Sequence, residues 1–302
     1  MSYYLLGPFV GDPMSSDIHF LNSEEAANIL GVNVSSVKRW TDQGKLECIR
    51  TIGGHRKFQI DHLSRFIEKN KKKASKVNLF ALVDNKSPEL YYHIVKGNFE
   101  YLKSYMTKHA LKCNRDNIQQ VVTGLYLCQH PLYLIYDNLI TPVLHEIGNL
   151  WMAHKLTITE EHLASQLIRD AIIRLQGIIT VPGEKIGKVI CLNLSSELHD
   201  IALKMVQNIL ELRGFKTYYT GQITPFINID HILTKIKPDR LYISSTIIRD
   251  IREDQKELNM LYDQCEKNSI RVYLGGQGFE QLDYSHPVVV RRLNTFEEVT
   301  IY

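Results

Sequence analysis

The hydrophobic pattern of this chain changes period along its length, and the changes divide it. From about residue 88 to residue 182, apolar side chains recur at i, i+3 and i+4, the spacing of one helix face. "PELYYHIVKGNFEYLKSYMTKHAL", "RDNIQQVVTGLYL", "PLYLIYDNLITPVLHEIGNLWMAHKL" and "ITEEHLASQLIRDAIIRLQGII" all carry it. Short connections predict four or so antiparallel helices packed as a bundle. From 185 to 302 strand and helix patterns alternate. "KVICLNL", "KTYYTG", "DRLYISST" and "IRVYLGGQG" read as strands, and "DIALKMVQNILELRG", "INIDHILTKIK" and "EDQKELNMLYDQCEKN" as helices between them. "PVVVRRLNTFEEVTIY" closes the chain. This order predicts a parallel, doubly wound α/β sheet, which takes ligands beyond the carboxyl ends of its strands.

Residues 20–70 show a third pattern. Asn22 can cap a first helix, with Glu25 closing the capping box, and Gly31 ends it. Asn33 then caps a second helix over 34–43. Val34, Val37 and Trp40 face inward there, and Lys38 and Arg39 face outward. Two helices about a Gly turn form a helix-turn-helix, whose second helix enters a major groove. "LECIRTIGGHRKFQI" follows, with Gly53-Gly54 able to supply the positive φ of a hairpin turn. Arg50, His55, Arg56 and Lys57 crowd that hairpin as a wing able to reach phosphates or the minor groove. "DHLSRFIEKN" predicts a third helix, and residues 71–87 a linker that begins in the charged run "KNKKKASK". Residues 1–19 form an N-terminal tail. The expected organisation is tail, winged helix-turn-helix (20–70), linker (71–87), bundle (88–182) and Rossmann-like domain (185–302).

Charge sharpens the first of these. Residues 20–76 hold twelve Lys and Arg against six Asp and Glu, a net of +6 within a chain of net +3. The rest of the chain is therefore at −3, so one basic module sits on a mildly acidic body; charge alone fits a polyanion partner or a solvated basic face, and together with the helix-turn-helix and wing it points to double-stranded DNA. The five cysteines are scattered without CxxC spacing, which predicts reduced thiols in a cytoplasmic protein rather than disulfides or zinc. No apolar run spans a bilayer, and the N-terminus does not read as a signal peptide.

Two stretches carry candidate ligand chemistry. In "LWMAHKLTITEEH", Trp151 ends a helix, Thr159 can cap the next, and Glu161 and His162 fall in its first turn. These residues can clamp a flat ligand, or be a core Trp and a surface acid at a helix N-terminus. In "SSELHDIA", Glu197 and His199 follow the first strand of the sheet. Ser244, Ser245 and Thr246 follow a later strand, and Gly275 and Gly276 another. "GGQG" is not a dinucleotide fingerprint, and no P-loop, hydrolase elbow or nucleophile–base–acid set is present, so no enzyme is expected.

"EEAANILGVNVSSVKRWTDQGKL" and "TIGGHRKF" resemble the MerR family of transcription regulators. That resemblance implies a dimeric, operator-binding winged module using Lys38, Arg39, Trp40, Arg50, His55, Arg56 and Lys57. The C-terminal domain resembles the cobalamin-binding Rossmann-like domains of methionine synthase and certain mutases. There a loop of acid-x-His-x-x-Gly supplies the lower axial ligand of cobalt. The matching residues here are Glu197, His199, Ser244, Thr246, Gly275 and Gly276, with Ala202 at the Gly position. Taken together, the chain resembles cobalamin-dependent, light-sensing repressors of the CarH/LitR type. The resemblance implies that Trp151, Ile158, Glu161 and His162 surround the adenosyl group of adenosylcobalamin and that His199 ligates cobalt. It also implies that light breaks the cobalt–carbon bond, dissociates the homo-oligomer and releases DNA. Met152 stands where bis-His members of the family carry His. Against this stands a cofactor-independent regulator whose degenerate domain serves oligomerisation or a protein partner.

Overall fold

In a computed structural model the described residues are 20–30, 32–59, 62–63, 65–66, 88–194 and 197–302. The tail, the linker, Gly31 and most of the third helix lie outside them. The chain divides into two compact units, Met1–Tyr92 and His93–Tyr302.

In the first unit, helix α1 (Ser23–Leu30) starts as its sequence requires. Asn22 Oδ1 accepts the Glu25 amide at 2.9 Å, and Glu25 returns a carboxylate to the Asn22 amide at 2.7 Å. Helix α2 (Val34–Asp42) buries Val37 and exposes Lys38 and Arg39. Asn33 precedes it in extended conformation, but its side chain makes no capping bond; its backbone carbonyl takes the Ser36 amide instead. Strands β1 (Ile49–Arg50) and β2 (Arg56–Lys57) form the antiparallel wing. Its turn is closed by the Gly54 amide on Thr51 O at 2.8 Å. Ile52 and Gly53 are thus the central residues, and Gly54, not both glycines, takes positive φ (+77°). Leu21 bonds Phe58 in both directions, so the wing is tied back to the start of α1 over a core of Ala26, Ile29, Val37, Leu46 and Phe58.

The first helical pattern of the bundle, which starts before His93 and runs on into the second unit, is broken. Helix α3 (Pro88–Lys96) ends at Gly97, and α4 (Phe99–Leu111) restarts with Asn98 as its cap. Gly97 has φ +63°, and a Cβ there would stand 2.8 Å from the His130 ring, so only glycine fits this break. Helix α5 (Arg115–Leu127) follows. A short α6 (Leu132–Ile135) runs through a π-helical turn (Tyr136–Ile140) into α7 (Thr141–Met152), and α8 (Ile158–Gln176) completes the bundle.

The sheet is parallel, with strand order β4-β3-β5-β6-β7. The strands are β3 (Gly187–Asn193), β4 (Phe215–Tyr219), β5 (Arg240–Ser244), β6 (Arg271–Gly275) and β7 (Val289–Leu293). Helices α9 (Ile201–Leu212), α10 (Ile229–Ile236) and α11 (Ile251–Lys267) connect them, and α12 (Phe296–Ile301) follows β7. β3 and β5, though not consecutive, are neighbours, with Asn193 paired to Ser244 at their carboxyl ends. The strand order reverses there, which makes it the crevice where such sheets bind ligands. Fold class is therefore as expected: a helix-turn-helix, a helical bundle and a doubly wound α/β domain.

Polar contacts join bundle and sheet. Arg169 of α8 makes two bonds to Asp200, at 2.8 and 2.6 Å. Asn208 donates to Tyr136 Oη and Ile172 O, Gln176 reaches Glu211, and Asp137 accepts the Phe296 and Glu297 amides that open α12.

Candidate functional site

The loop after β3 is organised by one carboxylate. Glu197 is 1% exposed and accepts four hydrogen bonds. Its Oε1 takes the His199 amide at 2.8 Å and His199 Nδ1 at 2.6 Å. Its Oε2 takes the Ile247 amide at 3.0 Å and the Thr246 amide, both from the loop after β5. One side chain thus bridges both sides of the reversal point. Burial opposes the charge of Glu197, but these bonds outweigh it and pull its pKa down to about 2. Ionised Glu197 can only accept, so Nδ1 of His199 carries a proton and, in the neutral ring, Nε2 holds the lone pair. The His199 side chain is 57% exposed, and among the described residues nothing bonds Nε2. The Glu197 bond raises the pKa of His199 against burial, and the carboxylate of Glu161 adds to the rise. Helix α8 therefore brings Glu161 into the field of His199.

Helix α8 begins two residues earlier than the Thr159 cap would place it. Thr157 is the cap: it accepts the Glu160 amide at 3.3 Å, and Glu160 returns its carboxylate to the Thr157 amide at 2.8 Å. This reciprocal box outcompetes a cap at Thr159 and sets Glu161 and His162 at the fourth and fifth helical positions. Glu161 accepts from Ser165 at 2.7 Å and meets His162 Nδ1 at 2.5 Å, while the His162 ring stays largely in solvent.

Exposed apolar side chains occur on both the bundle and the sheet loops. Trp151 is 42% exposed, and Met152, Ile158 and Leu163 are also exposed on the bundle. Leu198, Ile223, Ile227 and Ile247 are exposed in the loops after the strands. Buried polar atoms lie at the same strand ends: Asn193 Oδ1, Thr220 Oγ1 and Ser245 Oγ have no partner among the described residues.

The two glycines divide their work. A Cβ on Gly275 would meet nothing closer than 3.9 Å, so this position leaves room at the exit of β6. Gly276 has φ +100°, and a Cβ there would stand 2.1 Å from Ser245 O. Its missing side chain is taken up by Ser245, not by open space. Ser244 is buried and Thr246 is held by Glu197. Ala202 is half-buried at the second position of α9.

On the winged unit, Lys38, Arg39 and His55 are exposed, and Lys57 is partly so. Arg50 and Arg56 are not simply outward. Both bond Asp42 Oδ1, at 2.6 and 2.7 Å, and Arg56 also donates to Thr41. Arg56 keeps only 16% of its side chain exposed, so it braces the wing against α2. Trp40 is half-buried with its ring 4.9 Å from Phe66, as an inward residue of α2. Asp42, Arg169 and Asp200 were not foreseen. Arg169 lies on the Glu161–Ser165 face of its helix, but no spacing signals its partner.

Two families match this chain: a helix-turn-helix domain over residues 20–71 and a B12 binding domain over residues 90–176. The HTH-type transcriptional repressor CarH of Myxococcus xanthus is 22% identical over 89% of this chain and 91% of its own length. The chain is CarH-like: a helix-turn-helix regulator joined to a B12-binding region. The dimethylamine corrinoid protein of Methanosarcina barkeri is 20% identical over 59% of this chain and 84% of its own. The structure of the monomethylamine corrinoid protein of the same organism superposes with a TM-score of 0.55 at 13% identity, over 67% of this chain and 96% of that one. That likeness supports the fold of the bundle and sheet. None of the helices in the described residues is long and apolar enough to cross a membrane.

Proposed function

We propose that this chain is a cobalamin-controlled transcriptional repressor that binds operator DNA as a homo-oligomer, and that light acts on it through adenosylcobalamin. The observation that carries the reading is the Glu197–His199 pair at the reversal point of the sheet. Among the described residues no three metal-ligating side chains come together. A lone imidazole cannot hold a bare ion, but it can give one axial bond to a metal already chelated by a macrocycle. Glu197 fixes the tautomer and turns Nε2 outward, as an orienting partner of a metal-bound histidine does. The donor set therefore fits cobalamin, with His199 as the cobalt ligand. On this reading Trp151, Ile158, Glu161 and His162 would hold the adenosyl group, and Ser244, Thr246 and Gly275 would hold the nucleotide tail. Adenosylcobalamin supplies a cobalt–carbon bond that light can break. The protein's part is to favour one oligomeric state when the cofactor is bound, which couples that site to DNA affinity. The similarity to a transcriptional repressor supports a regulator rather than an enzyme.

Gly276 and Ala202 favour a second reading, in which the domain has lost the cofactor and serves oligomerisation or a protein partner. A titration with adenosylcobalamin followed by visible absorption separates the two. The wild-type chain is expected to bind in the dark, and His199→Ala to bind at least tenfold more weakly. Equal affinity of the two would remove His199 as ligand. A wild-type chain that stays colourless would hand the case to the second reading. Size-exclusion profiles before and after illumination test the light response.

A further inference from the structure

The residue at the apex of the wing is apolar. Ile52 is the first central residue of the Thr51–Gly54 turn, and its relative exposure is 111%, so it rests on nothing. Its neighbours leave it prominent. Gly53 carries no side chain, and a Cβ on Gly54 would meet nothing within 4 Å. Ile49, at the base of the same hairpin, is also exposed. A solitary exposed Ile means little on an arbitrary surface, but this hairpin is held in place. Arg50 and Arg56 anchor it to Asp42 at the end of α2, and the Leu21–Phe58 pair anchors its base. Two of the wing's cations are thus paired with Asp42, and the tip of the wing itself is apolar. Lys38 and Arg39 on α2 and His55 on the wing are exposed in the same unit.

We infer that Ile52 is a specificity-determining residue, an apolar wedge that presses into the minor groove beside the half-site read by α2. The inference rests on the DNA-binding reading of this unit. Apolar side chains in a minor groove act at deformable base steps, which open at lower cost than others. The wing then reads DNA through deformability rather than charge. An apolar contact and a phosphate contact differ in one measurable way. Losing a phosphate contact lowers the slope of log affinity against log salt by about one, whereas losing an apolar contact lowers affinity at unchanged slope.

The test uses the full chain and duplexes selected by it from a randomised pool. Ile52→Ala is expected to bind the selected duplex about five- to tenfold more weakly, with the salt slope of the wild type. Ile52→Leu is expected to restore binding. The wild-type selection should show a preferred pyrimidine–purine step at a fixed distance from the half-site, and the Ile52→Ala selection should lose it. Lys38→Ala, as comparison, should reduce the slope. Ile52→Ala binding like wild type, or changing oligomeric state alone, overturns the wedge. A reduced slope for Ile52→Ala also overturns it. A wild-type chain that retains no duplex overturns the DNA-binding reading, and the wedge with it.

Discussion

Glu197 illustrates how one side chain can set both geometry and charge. Its four acceptor bonds need a carboxylate, because two donors converge on each oxygen. An amide has one acceptor oxygen and two N–H donors, so Glu197→Gln must set donors against donors on one side. Leaving a buried amide without a partner costs about 1–3 kcal/mol, so the apo protein should melt lower. Freed of its carboxylate, His199 should lose orientation, and cobalamin affinity should fall about 10–100-fold. Thermal unfolding and the visible titration read the two effects separately; a variant as stable as wild type with full affinity would show that neither bond matters. The pair was legible in sequence as an acid two residues before a histidine, following a strand. What closed the argument was not: the amides of Thr246 and Ile247 come from a loop about fifty residues away, and only strand order brings them to Glu197. The same limit applies to Gly276, whose φ and contact with Ser245 depend on how β6 leaves the sheet.

At the level of elements, apolar period located the helices but not all of their ends. The apolar i, i+3, i+4 pattern runs across the break at Gly97 and so does not reveal it, and the His130 ring that leaves no room for a side chain there comes from a distant segment. The start of α8 was misplaced for a different reason. Thr157 and Thr159 are both acceptable caps, and only the Glu three residues after Thr157 closes a reciprocal box. The difference matters because this cap positions Glu161 and His162. Thr157→Ala should destabilise the protein by about 1 kcal/mol, a fall of roughly 2–4 °C in Tm for a unit of this size. Thr159→Ala should move Tm by no more than about 1–2 °C, since a non-capping surface change falls within roughly 0.5 kcal/mol. Melting curves by far-UV circular dichroism decide between the two threonines; equal shifts would contradict the box.

At the scale of the molecule, the bundle and the sheet meet along polar contacts, and Arg169–Asp200 is the one nearest the site. Asp200 follows His199 directly, and Arg169 lies two turns along α8 from Glu161, so this pair links the helix that flanks the proposed cofactor to the loop that ligates it. Asp200 is almost fully buried. Burial opposes its charge, but the two bonds from Arg169 and one from Tyr219 more than compensate and hold its carboxyl below the ordinary aspartate range. A depressed carboxylate stabilises the fold fully above its unfolded value and loses that contribution as pH falls through its folded value. Asp200→Asn, which leaves the half-buried Arg169 without its countercharge, should therefore cost about 3 kcal/mol at neutral pH. The gap between variant and wild type should hold constant down to about pH 5 and shrink below about pH 4, as the wild-type carboxyl protonates. Denaturant unfolding across a pH series measures the gap. A gap that persists undiminished to pH 2 would mean that shape, not charge, holds this contact. A gap that closes on acidification makes the Arg169–Asp200 charge pair the bond by which the bundle grips the His199 loop, and thus the place where the state of that loop would be felt by the rest of the unit.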